Sequence, residues 1–584
     1  MKPQNRILFL AIFLILFGGF LANRVQTGNG SIEVNTVRYA GDDGIVNHAR
    51  LYIPDGVSNE NPAPGIVATH GYINSNETQA PFAIEFARRG YVVLAPDQTG
   101  HGYSDAPAFG NAFGGINALQ YMRSLGFVDS DNIGLEGHSM GGWSSLIAAA
   151  VIPDGYESIV IQGSSTGTFG APEGTAEWPR NLAVVFGKYD EFSQLMWGTE
   201  VSSDVPNTEK LQTLFGTDEP VVPGEIYGSI EDGTARVFHQ PAITHPANHF
   251  SNESIGYAIA WFDQTLEGGQ SLSSSDQVWI WKEIGTLIAL IGMVLLLVPA
   301  GHRLINLPAF QALRDTPADS RALVGRDWWI GAVVFIALPV VTLFPFTGLA
   351  ETWGLSASAL LPQELTTQVL VWALGVGLIA LALFTAWHLL LNRRTGASLE
   401  NYGLTWNGRV EIGKIARSFL FALSVVAVAY VSLLLTMFFF DVDYRIWVFG
   451  VKPLSTLQFQ IALSYVIPFC AFFLVVATLL HGQLRRPNLS FVQELAVNWV
   501  LLVVGFVALL AFLYTPLFLG GPLALSSDPL WSIITKQFVP LMTIAAVVFT
   551  GFYRLTGRVY TGAFINGLLI TWIVVASQAT QYAF

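Results

Sequence analysis

Hydrophobic and polar positions follow two different rules along this chain. From residue 278 onward, unbroken apolar stretches of bilayer length alternate with short polar connections. Between residues 31 and 266 the apolar runs are only four to eight residues long, separated by amphipathic or polar segments. A run near twenty residues matches the ~30 Å hydrocarbon core of a bilayer at 1.5 Å per residue. The later pattern therefore predicts eight membrane-spanning helices, at 278–298, 328–346, 369–391, 419–440, 459–480, 495–519, 531–553 and 559–579. A further 16-residue apolar run, 7–22, follows Lys2 and Arg6. It reads as an uncleaved anchor within residues 1–23; a cleaved signal peptide is the alternative, for which Ala22 suits position −1 but Phe20 is large for −3.

The central block has the rhythm of alternating strands and helices. Strand-like runs fall at 32–39, 48–53, 66–69, 91–95, 133–136, 159–162, 183–186 and 235–239, with helical patterns at 78–89, 112–124, 140–151 and 253–266. Two adjacent strands followed by strand–helix alternation predict an α/β fold. Its sheet is mostly parallel with an antiparallel start, covered by helices on both faces. The chain thus divides into an anchor (1–23), an α/β domain (24–277) and an all-α multi-span membrane domain (278–584). The Gly-, Pro- and acid-rich stretch 216–234 is expected to form a hairpin beside a cleft. Only about 20 residues separate the strands at 162 and 183, too few for a helical cap, so the cleft is expected to be uncapped unless the membrane domain covers it.

Charge sharpens this division. With 52% hydrophobic and 12% charged residues, neither a wholly soluble nor a disordered chain is possible. The net −13 splits into −20 over residues 24–283 and +5 over 284–584. With a cytoplasmic N-terminus, the inside loops and leader hold 15 Lys/Arg, and the short outside loops together with Lys536 at the start of the seventh span hold three, which predicts an extracytoplasmic acidic domain on a multi-pass protein of the cell membrane. No basic tract interleaved with aromatics exists, so nucleic acid is not an expected partner. Cys470 is the only cysteine, so no intrachain disulfide forms. Apart from Lys282 and Glu283 in the first turns of the first span, Lys536 is the one charge within the spans, in the first turns of the seventh; without acidic residues at the helix centres, a proton-driven pump is disfavoured. His388, Asn498 and Asn566 are expected to hydrogen-bond between helices or lie near an interface.

The chemistry concentrates at Gly137-His138-Ser139-Met140-Gly141, between a predicted strand and a predicted helix. A serine on a sharp strand-to-helix turn needs glycines at the flanking positions, here Gly137 and Gly141, and the helix N-terminus favours developing negative charge. His70-Gly71-Tyr72 follows the strand at 66–69, and Pro96-Asp97 with Gly100-His101-Gly102-Tyr103-Ser104 follows the next. In these ordered pieces, over residues 31–266, the sequence resembles the α/β-hydrolase family in its serine esterase and lipase-like branch. For the remaining half no family resemblance is found.

The resemblance implies a Ser-His-Asp triad. Ser139 would be the nucleophile, and the backbone N–H groups of Tyr72 and Met140 the oxyanion hole. Asp190, after the strand at 183–186 and a glycine turn, would be the orienting acid, with Glu191 the fallback. His245 and His249 both precede the last helix; counting from the last strand selects His245, with His249 the alternative base. His70 and His101 are read as loop-bracing. The expected reaction is ester hydrolysis through an acyl-enzyme on an ester or lipid-like small molecule, beside membrane lipids, with no cofactor and no metal; protein partners stay open. A peptidase or acyltransferase would use the same triad. In a different reading, the membrane domain is a transporter or scaffold and the hydrolase-like block a regulatory or binding module.

Overall fold

The computed structural model describes residues 3–41, 44–270, 272–355 and 357–582; Lys2, counted above among the basic residues, lies outside them. The N-terminal apolar run extends into a 24-residue helix, α1 (Pro3–Gln26), longer than the boundary at 23 expected from hydropathy. The polar helix-forming residues at each end lengthen it.

Next comes a nine-stranded sheet. Its strands are β1 (Ile32–Ala40), β2 (Val46–Pro54), β3 (Ala63–Thr69), β4 (Val92–Pro96), β5 (Val128–His138), β6 (Ser158–Gln162), β7 (Leu182–Val185), β8 (Ile226–Tyr227) and β9 (Arg236–His239). Their order is β1-β2-β4-β3-β5-β6-β7-β9-β8. β1, β2 and β4 pair antiparallel, and β4, β3, β5, β6, β7 and β9 run parallel. The middle strands are largely apolar because both faces are covered; every residue of β3, β4, β6 and β7 is buried. One face carries α3 (Gly115–Ser124) and α4 (Met140–Val151), the other α2 (Ala80–Ala87) and α7 (Asn252–Thr265), each with its own apolar core. Two short helices, α5 (Ser193–Trp197) and α6 (Glu209–Phe215), occupy a segment that showed no helical pattern in the sequence. The stretch 216–234 does contain a hairpin strand, β8, but it pairs at the far edge of the sheet on β9 and does not line the cavity described below.

The second half is helical: α8 (Trp279–Leu304), α9 (Gly325–Thr352), α10 (Glu364–Leu390), α11 (Ile412–Phe440), α12 (Thr456–Thr478), α13 (Phe491–Phe518), α14 (Pro529–Thr556) and α15 (Val559–Ser577). With α1, nine helices among the described residues are long and apolar enough to cross a membrane. α1 lies along α8 at the distance that small residues permit. A Cβ on Gly18 would stand 2.5 Å from the Gly285 carbonyl oxygen, and one on Gly292 would stand 2.8 Å from that of Ala11. Asn498 donates from α13 to Thr550 of α14 (2.9 Å), His388 pairs with the Tyr402 hydroxyl (2.8 Å), and Asn566 reaches the Ala545 carbonyl (3.4 Å).

The two halves are joined by ion pairs rather than by apolar contact alone. A hairpin of β10 (Tyr444–Ile446) and β11 (Phe449–Val451) connects α11 to α12 on the side of the sheet domain. Just after it, Lys452 donates to Glu77 (2.8 Å) and Ser75 (2.9 Å). Arg50 grips Asp441 through both guanidinium nitrogens, and the Glu85 carboxylate accepts from the Val278 and Trp279 N–H groups at the start of α8 (2.7 and 3.0 Å). The C-terminal segment closes the junction: Ala108 N–H donates to Thr580 O and Thr580 N–H to Gly100 O.

Candidate active site

All the parallel strands end on one edge, and the candidate residues gather there. β5 ends at His138 and α4 begins at Met140, so Ser139 alone makes the turn, at φ 53° and ψ −118°. That conformation costs a non-glycine residue about 1–3 kcal/mol and persists only where the surroundings impose it. The Ser139 N–H donates to Gln162 O (2.8 Å) and its carbonyl accepts from Ser164 Oγ (2.8 Å), which ties the turn to the end of β6. The flanking glycines are required by contact. A Cβ on Gly137 would lie 2.2 Å from Gly141 O, and one on Gly141 would lie 2.1 Å from Thr69 O.

Asp190 and His245 meet because the sheet pairing continues past its last strands. An isolated parallel bridge joins Tyr189 to Thr244, so the residues that follow each are neighbours. His245 Nδ1 lies 3.0 and 2.9 Å from the two carboxylate oxygens of Asp190. Both side chains are buried; burial pushes the Asp190 carboxyl up from its ordinary range, against the opposing pull of His245. Glu191, the fallback acid, takes a different position. Its Oε2 accepts the main-chain N–H of His245 (2.7 Å), while Oε1 accepts from Tyr514 (2.7 Å) and Lys536 (2.9 Å) of the helical half.

His249 stands apart from this pair. Its Nδ1 bonds Gln79 Oε1 (2.6 Å), and Gln79 in turn donates to Glu136 (2.6 Å), whose carboxyl burial holds well above the usual range. The His249 ring packs 3.9 Å from that of His138, fully buried behind the turn, and burial with nearby His245 depresses its basicity. His70 accepts the Gln98 N–H at Nε2 (3.0 Å) and bonds the Gly71 carbonyl at Nδ1 (2.7 Å), a brace for the loop that carries Tyr72. His101 bonds Thr99 O within the neighbouring loop.

Ser139 and His245 line one cavity of about 230 Å³, together with Tyr72 and Met140. Among the described residues no hydrogen bond joins Ser139 Oγ to His245, and the N–H groups of Tyr72 and Met140 have no acceptor. Such serine–histidine contacts are often loose without substrate. Apart from Asn74 and His138 the rest of the wall is apolar, with Phe109, Trp143, Phe169 and Met196 from the sheet domain, and Val448, Leu530 and Ile533 from the helical half. The helical half thus supplies part of the cavity wall, beside Phe169 from the short connection between β6 and β7. The sequence pointed to Lys536 as an isolated charge but not to its partner, and gave no signal for Tyr514 or the helical wall. A larger cavity, about 370 Å³, lies among α9, α10, α12 and α13, where Asp327 is the only ionisable lining residue. Among the described residues no group of three or more His, Cys, Asp or Glu could hold a metal ion.

Residues 64–203 match the family model of the α/β hydrolase fold. A comparison with curated proteins gives no match. Among solved structures, similarity extends to the DcsB complex with its substrate analogue (15% identity, 40% of this chain and 100% of that one, TM-score 0.29). It extends also to a dienelactone hydrolase from Anabaena variabilis (16%, 41% and 100%, TM-score 0.29) and an esterase from Pyrococcus furiosus (15%, 41% and 96%, TM-score 0.29). The sheet order and the family match together make the part of the chain that carries Ser139 an α/β hydrolase fold, joined in one polypeptide to a domain of membrane-compatible helices.

Proposed function

We propose that the protein is a membrane-held serine hydrolase that cleaves esters with an apolar acyl group outside the cytoplasm. The observation that carries this reading is His245, bonded to Asp190, facing the same apolar cavity as the strained Ser139. Ionised Asp190 accepts the Nδ1 hydrogen of His245, which leaves the Nε2 lone pair free as the base. His245 takes the Ser139 proton as Oγ attacks the ester carbonyl. The tetrahedral oxyanion lies against the N–H groups of Tyr72 and Met140, each such donor being worth ~2.7–4 kcal/mol in other enzymes. The proton then passes to the departing alkoxide, and water, activated by the same histidine, releases the acid from the acyl-serine.

The wall favours esters over peptides with charged ends, since no carboxylate, lysine or arginine lines the cavity. α14 has 28 residues, about 42 Å of helix, which exceeds a ~30 Å bilayer core and leaves its first turns, with Leu530 and Ile533, near the membrane surface. An acyl chain leaving the bilayer would meet the cavity there. Labelling of membranes with a fluorophosphonate tests the reading: wild type is expected to label and Ser139→Ala not to. An unlabelled wild type, or equal labelling of the variant, overturns it. For the orientation, a reporter fused after Ser275 should be active only outside the cytoplasm; activity only inside reverses it.

A further inference from the structure

We infer that Lys536, together with Tyr514, is a positioning residue for the catalytic histidine, acting through Glu191, so that the helical domain completes the active site. The inference rests on the proposed serine-hydrolase reading. Lys536 is the one charge in the first turns of an otherwise apolar seventh span, where a cation needs a polar partner. Seven residues from the start of α14, it meets a buried carboxylate instead of lipid: Nζ lies 2.9 Å from Glu191 Oε1. The ammonium also sits over the rings of Tyr514 and Trp447, at 4.3 and 5.1 Å from their centroids. The Tyr514 hydroxyl donates to the same oxygen at 2.7 Å.

The other oxygen of Glu191 holds the main chain of the histidine. Oε2 accepts the His245 N–H at 2.7 Å, and the His245 carbonyl accepts from His138 Nε2 (2.9 Å) and Asn248 Nδ2 (3.1 Å). The peptide groups on either side of His245 are thereby fixed, while Asp190 fixes its ring. Two adjacent buried carboxylates, Asp190 and Glu191, repel one another unless one has a counter-charge, and Lys536 supplies it. Burial pushes the Glu191 carboxyl up; Lys536, with His245 and Tyr514, outweighs that and leaves it below its ordinary range. Without Lys536, Glu191 either takes up a proton or turns toward solvent. Either change loosens the N–H that sets the height of the imidazole over Ser139. A displacement of about 1 Å at a reacting group costs up to ~100-fold in rate.

The test uses the full chain in detergent with p-nitrophenyl hexanoate as probe. Lys536→Met should lower kcat roughly 10- to 100-fold while KM stays within about twofold, because the acyl wall is untouched. Lys536→Arg should restore most of the loss, since a cation again meets Glu191. The double variant Glu191→Gln with Lys536→Met should exceed Lys536→Met alone, because a neutral amide oxygen still accepts the His245 N–H without needing a counter-charge. Unchanged kcat in Lys536→Met overturns the inference. So does a loss that neither Lys536→Arg nor the double variant relieves, which marks Lys536 as required only for folding. Ser139→Ala in the same series separates the two ideas. Activity surviving Ser139→Ala removes the serine reading, whereas a dead Ser139→Ala beside an active Lys536→Met removes only the positioning role.

Discussion

Two of the junctions between the α/β domain and the helical domain are built on buried carboxylates that meet cations from the other half. At one, Glu77 and the nearby Asp97 face Lys452 and Arg445; at the other, Glu191 faces Lys536. The first is dense. Asp97 alone accepts from the Asn76 N–H and side chain, from His48 and from the Tyr103 N–H, all within 3.0 Å. It holds the domains together but touches neither Ser139 nor His245. The second is sparse, with one carboxylate and two donors, yet that carboxylate also holds the main chain of His245. The same chemistry therefore docks at one place and leans on the candidate catalytic loop at the other. What separates them is the distance to the reacting atoms, not the strength of the ion pair.

The contrast is sharpest between neighbours in sequence. Asp190 bonds the ring of His245 and Glu191 its backbone, so their losses should differ in kind. Asp190→Asn should cost about 10⁴-fold in kcat, because the amide no longer selects the tautomer that leaves Nε2 unprotonated. Steady-state kinetics on a p-nitrophenyl ester measures this. A loss no larger than that of Lys536→Met would place Asp190 and Glu191 in equivalent roles and end the distinction.

At the docking junction the loss should appear in stability. Lys452→Met leaves Glu77 buried without its main partner, and breaking a buried pair from one side costs about 3–5 kcal/mol. Thermal unfolding in detergent should show the α/β domain melting earlier, while the folded fraction keeps near-wild-type turnover. Adding Glu77→Gln should recover part of the loss. A selective fall in kcat without destabilisation would erase the difference between the junctions.

The cavity wall gives a smaller, graded effect. Ile533 comes from the first turns of α14, at the end shared with Lys536, but lines the acyl space instead of bracing the loop. Ile533→Phe should shorten the preferred acyl chain and reduce kcat/KM for longer esters about 10- to 100-fold, with the shortest esters unaffected. An unchanged chain-length profile would show that the helical wall does not contact substrate.

How far these features were legible in the sequence follows from how local they are. The strands of the parallel sheet were readable because burial on both faces leaves continuous apolar runs, and the turn at Ser139 because its glycines answer to contacts within a few residues or one strand away. Asp190 followed from its position after β7. The relative placement of His245 and His249 depends on the Tyr189–Thr244 bridge, a pairing that counting residues approximates but does not contain. Glu191 and Lys536 lie 345 residues apart, and no local pattern encodes such a contact. The sequence showed only its cost, one lysine in an apolar helix. α5 and α6 were missed because five and seven residues are too few to display a helical period. The wall from Val448, Leu530 and Ile533 looked like an ordinary loop and membrane helix.

The smallest difference between the junctions is in acid. Burial raises the carboxyls of Glu77 and Asp97, but Lys452, with Arg445 and His48 among their other partners, outweighs it and holds both below their ordinary values of 4.5 and 3.8. A carboxylate whose folded pKa is depressed contributes stability that is fully present above its unfolded pKa and is lost as pH falls through the folded one. Docking stability should therefore be flat from neutral pH down to about 5 and then decline as the pH drops through 4.5, 3.8 and below. Thermal unfolding of Ser139→Ala across that range isolates stability from turnover. In Lys452→Met much of the depression is gone, so the decline attributable to Glu77 and Asp97 should shrink. An acid decline as steep in Lys452→Met as in its parent would mean that these carboxylates do not carry the docking energy, and the dense junction would then owe its strength to neutral hydrogen bonds such as that from the Tyr103 hydroxyl to Pro453 O.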